Sequence, residues 1–332
     1  MTADQLRVIW LLRLLLGTLF LLGSEVLLWI DPPGRSLPEW AVLVVGYMAL
    51  GTLALDLLAR YRARSVYEAM AVIAIVALLN GLLLNPTTSY VDFPRTLATR
   101  VLGAHGLLTL EMFGLFLVLT AGHIRYYLRL LLISGVWLGF FLGVWVRWAA
   151  VLIDWPPGEL VPLPPVLVGV VVGVAVIAIL LTLLARQKAA ISLPDLRLSR
   201  TQWYVLVAVL AALFLLQAFS GGITLAAVLA TAAIIALAVT ILWFQRADTG
   251  RTVLDANMPP RPLPLLWLGL AFIITAGMTY VAYELPLLDI LGYNQLSFME
   301  FGFALVGFGW FPLLAAVIGG SAMERRLRTE QI

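Results

Sequence analysis

Long apolar runs separated by short polar segments dominate this chain. Ten are long enough to cross a bilayer as helices: 8–30, 40–59, 67–84, 98–121, 127–149, 163–185, 202–219, 223–244, 263–283 and 295–320. A membrane-spanning helix needs about 20 mostly apolar residues, because hydrocarbon cannot satisfy backbone polar groups. The pattern therefore predicts an all-α polytopic membrane protein with ten transmembrane helices. The connections are too short for an extramembrane domain. Span 1 is too long for a cleaved signal peptide and carries Arg13, so it is expected to remain as a helix.

Composition narrows the class further. Apolar residues make up 62% of the 332 and charged residues 12%, against roughly 45–50% and about 25% in a globular protein. No soluble core of this length buries that much apolar surface. The same arithmetic excludes disorder, a coiled coil, collagen and nucleic-acid binding. The 21 basic residues barely exceed the 18 acidic ones, so the basic balance reflects topology, and the only partner implied directly is the lipid bilayer. With no cysteine there is no disulfide framework, thiolate metal site or thiol nucleophile.

Lys and Arg set the orientation. Sixteen lie at the N-terminus, the C-terminus and the even-to-odd connections, including Arg60, Arg62, Arg64, Arg197 and Arg200. Only Arg35, Arg95, Arg100 and Arg147 fall on the other side. Both termini are thus expected in the cytoplasm, with the protein in the plasma membrane. The outer connections are rich in proline, aromatic rings and carboxylates. Trp29, Trp40, Trp148, Trp155, Tyr90 and Tyr283 match an interfacial aromatic belt. The prolines read either as simple helix stops or as part of an ordered outer vestibule with Asp92, Arg95, Arg147 and Asp154 as candidate residues.

An internal repeat is also legible. Span 1 opens Arg7–Trp10 as RVIW and span 7 opens Arg200–Trp203 as RTQW; both reach LFLL. Spans 2 and 8 share AVL followed at the same interval by Arg60 and Arg246. Span 4 carries LGAHGLLTLEMFG and span 10 LGYNQLSFMEFG, each with a glutamate eight residues after a glycine and Phe-Gly close behind. The expected organisation is a parallel repeat of a four-helix unit. Residues 1–126 (spans 1–4) match 200–332 (spans 7–10), with two linking helices over 127–199.

Charges inside hydrocarbon cost at least ~2.5–3.5 kcal/mol at the helix centre, so each needs a reason. Arg13 and Asp56 lie near cytoplasmic ends and are expected to snorkel. Glu25 and Arg147, near outer ends, either sit at the interface or pair with each other. Glu111 lies near mid-membrane in span 4, and Glu300 is its repeat counterpart. Arg100 precedes Glu111 by eleven residues, which on an α-helix returns it to the same face. His105 and its counterpart Asn294 are expected to share a hydrogen-bonding role. Asn80 and Gln217 read as interhelical glue, and Pro312 as a kink. Two histidines on one span cannot ligate haem in the cytochrome b manner, and no zinc or di-iron motif occurs, so no cofactor, metal or catalytic residue is predicted.

Three functional readings follow. The first is a transporter or other permeation protein, proton-coupled through Glu111 and Glu300 on helices 4 and 10, with His105, Asn294 and Arg100 as further site candidates. The second is a non-catalytic integral subunit of a larger redox or secretion complex, whose partners are other membrane subunits. The third is an enzyme acting on a lipid-linked substrate at the outer face through Asp92, Arg95, Arg100, Asp154 and Glu159. Its short outer loops rank it last.

Overall fold

Inside a bilayer every backbone N–H and C=O must find its partner within the protein, and a helix does this locally. The computed structural model describes residues 2–28, 35–122, 124–148, 161–221, 223–246, 250–285 and 301–310. Among them, nine helices are long and apolar enough to cross a membrane: α1 Ala3–Leu27, α2 Leu37–Arg60, α3 Val66–Leu83, α4 Leu97–Thr120, α5 Arg125–Arg147, α6 Leu163–Ala185, α7 Arg200–Phe219, α8 Leu225–Gln245 and α9 Leu265–Glu284. A shorter apolar helix, α10, covers Phe301–Trp310. The nine begin and end within a few residues of the first nine predicted spans. The protein is an integral, multi-pass helical membrane protein. Only α10 represents the tenth predicted span; Glu300 and Asn294 lie outside the described residues.

Side chains at the helix starts take up N–H groups that have no partner within the helix. Thr2 and Gln5 form a capping box on α1, and Ser199 and Gln202 form one on α7. Ser65 and Thr224 accept from Glu68 N and Ala227 N. The 3-10 turn Leu193–Leu196 is capped by Ser192, whose hydroxyl donates to Asp195 at 2.7 Å. Those bonds hold the Asp195 carboxyl below the usual carboxylate range. The cap is therefore complete above that range and is lost as pH falls through the lowered value.

The helices gather into two compact units. The first comprises Met1–Met48, Glu111–Ile191 and Asn257–Glu300, and the second Ala49–Leu110, Ser192–Ala256 and Phe301–Ile332. In the first unit α5 packs along α9, while α6 meets α1 and α9. Glycine makes these contacts close. On α5, Gly135, Gly139 and Gly143 recur every four residues and so share one face. A methyl group at Gly139 would overlap Thr275 O and come within 2.8 Å of Met278 Cβ, and one at Gly143 would overlap Thr279 O. At Gly135 the space is looser, with Ala271 O at 3.1 Å. Gly169 and Gly173 on α6 repeat the device, receiving Val26 and Leu22 of α1.

The first unit also completes the C-terminal end of α4. The segment before α9 supplies its missing donors: Arg261 N bonds Thr120 O at 2.7 Å, Leu263 N bonds Leu119 O at 2.9 Å and the Asn257 amide bonds Leu117 O at 2.7 Å. In the second unit α3 packs on α8, on α7 and on the start of α4. Here Gly103 of α4 faces Phe303 O and Gly307 of α10 faces Ala98 O, each with no room for a Cβ.

Small-residue contact between backbones is the main source of helix association in lipid. Gly139→Leu and Gly143→Leu should therefore each destabilise the protein by at least about 1–3 kcal/mol, the usual cost of overpacking. Gly277→Leu on α9, where a Cβ meets nothing within 4 Å, should leave stability nearly unchanged. Thermal unfolding of the three variants in mild detergent checks the contrast.

Candidate functional site

Among the described residues of the spanning helices, two stretches depart from α-helical geometry, and both carry ionisable side chains. Leu22–Leu27, the end of α1, and Leu97–His105, the start of α4, are π-helical. Such segments are rare and occur often at functional sites. A tryptophan indole bonds a carbonyl within one of them and at the end of the other. Gly106 N donates to Val101 O and Gly103 O, so Leu102 O accepts instead from Trp310 Nε1 at 2.8 Å. Leu28 O accepts from Trp145 Nε1.

Within the second unit, the π-helical start of α4 faces a buried polar cluster. Asn80 of α3 lies at its centre. Its amide nitrogen is 3.1 Å from His105 Nδ1, and its carbonyl oxygen accepts from Asn85 at 3.0 Å. With the Asn80 oxygen engaged by Asn85, its nitrogen donates and His105 Nδ1 accepts, which places the ring proton on Nε2. Tyr90 OH lies 2.7 Å from Thr231 Oγ1 of α8, and burial pushes its phenol up to about 12. Arg100 donates to Thr88 O at 2.8 Å. At the other end of this unit, Asp56 is fully buried. Arg60 grips it through two 2.9 Å bonds, and Leu198 N adds a third at 2.6 Å.

The first unit contains a second buried acid, Glu25, on the π-helical end of α1. Its carboxylate accepts from Tyr47 OH at 2.5 Å and pairs with Arg35 at 2.8 Å. Arg147 donates to Tyr283 O at 2.5 Å, and Tyr283 OH donates to Val161 O at 2.9 Å. Glu111 belongs to this unit as well, fourteen positions after the start of α4 and nine before its end. It is half-buried and makes no hydrogen bond or ion pair with any described residue.

Several sequence expectations need correction. Glu25 holds Tyr47 and Arg35, and Arg147 holds the Tyr283 carbonyl. Arg100 and Glu111 cannot be placed on one face by 100° steps, because Leu97–His105 is π-helical and turns less per residue. Arg100 instead reaches back to the Thr88 carbonyl. Asp56 does not snorkel to water but ends in a protein-built clamp. Arg13 is buried with its guanidinium 4.9 Å from the Trp10 ring centroid. Tyr90 is buried rather than displayed at an interface.

Asp92 and Arg95 are exposed and pair with each other at 2.9 Å. Asp154, Asn294 and Glu300 lie outside the described residues. Sequence reasoning missed Asn85, Tyr47 and Arg35 as partners. Asn85, five residues after an asparagine in the last turn of α3, was the one available hint. The chain matches no protein-family model, no curated protein and no solved structure.

Removing the Asn80 side chain takes one hydrogen bond each from His105 Nδ1 and the Asn85 amide. Asn80→Ala should cost about 1–3 kcal/mol, the range for stranding buried polar groups. In a double-mutant cycle with His105→Ala the two losses should be less than additive. Thermal unfolding of the four proteins in lipid nanodiscs measures the coupling.

Proposed function

We propose that this protein is a transporter or other permeation protein of the plasma membrane, with Glu111 as the proton- or cation-binding group of the membrane interior and Glu300 as its repeat counterpart. The observation that supports this reading is the contrast among three acids. Asp56 and Glu25 each hold an arginine and a further hydrogen-bond donor, as a structural charge in a low-dielectric interior requires. Glu111, at mid-span, engages no described residue. An acid kept within a membrane marks a proton, ion or substrate path by default, and a carboxyl group that no described residue holds is open to exchanging a proton or cation. His105, tied to Asn80, acts in this reading by fixing the π-helical start of α4.

Solid-supported membrane electrophysiology on proteoliposomes is the direct test, using a panel of amines, amino acids, sugars and carboxylates with an imposed pH gradient. The wild type is expected to give a current with at least one class, and Glu111→Gln to abolish it while the unfolding temperature stays nearly unchanged. Current surviving in Glu111→Gln, in Glu300→Gln and in the double variant overturns the proposal.

A further inference from the structure

The first unit encloses a half-open cavity of about 70 Å³ between α1, α4, α5, α6 and α9. It opens where the α5–α9 seam loosens, since Gly135 and Ala271 line it while the tighter Gly139 and Gly143 contacts lie beyond. Its wall is almost wholly hydrocarbon, with Leu115, Leu119, Leu138 and Phe272 typical of it. The single hydroxyl, that of Thr275, is engaged by Ala271 O at 2.9 Å. An apolar cavity of this kind holds no water and accepts hydrocarbon.

Glu111 adjoins this wall on α4, next to the lining Met112. From Gly106 to Thr120 the chain is α-helical, so Glu111, Leu115 and Leu119 follow one another at four-residue steps along one face. The carboxyl group lies one turn, about 5.4 Å of rise, beyond the lining Leu115. Of the basic residues within the spans of this unit, Arg13 lies against Trp10 and Arg147 donates to the Tyr283 carbonyl.

We infer that Glu111 and this cavity form one binding site for an amphiphilic organic cation, with its ammonium group at the carboxylate and its apolar chain in the cavity. This assignment names the substrate class for the transport reading and rests on it for its biological meaning. Charge decides the head group: a carboxylate in hydrocarbon attracts a cation and repels an anionic lipid or fatty acid. Size decides the tail. The cavity is about half the volume of one that holds benzene, so it takes a short branch or a few methylenes, and a longer chain leaves through the open side.

The test is equilibrium binding of radiolabelled n-hexyltrimethylammonium to the full-length protein in zwitterionic-lipid nanodiscs, with empty nanodiscs as blank. Affinity should rise from tetramethylammonium through the butyl to the hexyl compound, and n-hexyl sulfate should not compete. Glu111→Gln should weaken hexyltrimethylammonium at least about tenfold, the loss of 1.4 kcal/mol. Val174→Phe fills the cavity from a half-exposed position on α6. It should abolish the dependence on chain length and leave tetramethylammonium binding intact.

Equal binding by Glu111→Gln, or competition by hexyl sulfate as strong as by the cation, overturns the assignment. Chain-length dependence that persists in Val174→Phe does the same, and reduces the cavity to a place for bilayer acyl chains. Cation binding without any current leaves this site standing and removes transport. Current with a neutral or anionic solute and no cation binding does the reverse.

Discussion

Between helices surrounded by lipid there is no hydrophobic gain in association, because the lipid tails are as apolar as the side chains they replace. Cohesion must come from close packing and from the few polar contacts available. In this protein the closest packing is made by glycine. Gly139 and Gly143 bring α5 against the backbone of α9, Gly169 and Gly173 admit side chains of α1, and Gly103 and Gly307 join α4 to α10. The same seam produces the cavity. As the spacing relaxes toward Gly135, α5 and α9 no longer fill the volume between them, and residues of α1, α4 and α6 complete its wall.

Acids in the interior are handled in two distinct ways. Asp56 and Glu25 are surrounded by donors: Arg60 and Leu198 N for the first, Arg35 and Tyr47 for the second. Breaking such buried pairs is costly, and both tie a neighbouring segment to a helix. The Asp56 clamp holds the loop before α7, with Arg60 also 5.5 Å from the Trp203 ring. Glu111 has apolar neighbours along its helix and, among the described residues, no such donors. Burial alone therefore does not mark a functional acid in this chain. The surroundings of each acid separate the structural ones from the candidate.

The π-helical segments join these themes. Widening a helix frees a carbonyl, and in hydrocarbon a free carbonyl needs a donor. Trp310 supplies it for Leu102 within α4, and Trp145 bonds Leu28 O where α1 ends. The wider turn also breaks the α-helical register above Gly106. That sends Arg100 to Thr88 O and His105 to Asn80, while Glu111 remains on a regular helix with Leu115 and Leu119.

The sequence alone determined the membrane class and the positions of the first nine spans. Both depend only on local length and hydrophobicity, which lipid reads residue by residue. It also singled out the intramembrane ionisable groups, because their cost in hydrocarbon does not depend on the fold. It did not determine their partners. The alliance of Glu25 with Tyr47 and Arg35, the Asn80–His105 contact and the clamp on Asp56 link residues up to 142 positions apart, and only packing brings them together. The wrong angle between Arg100 and Glu111 has the same origin. The π-helical turn is stabilised by Trp310, more than 200 residues away, and no local pattern in span 4 announces it. Helical periodicity belongs to the chain, whereas departures from it belong to the tertiary contacts that satisfy the displaced backbone.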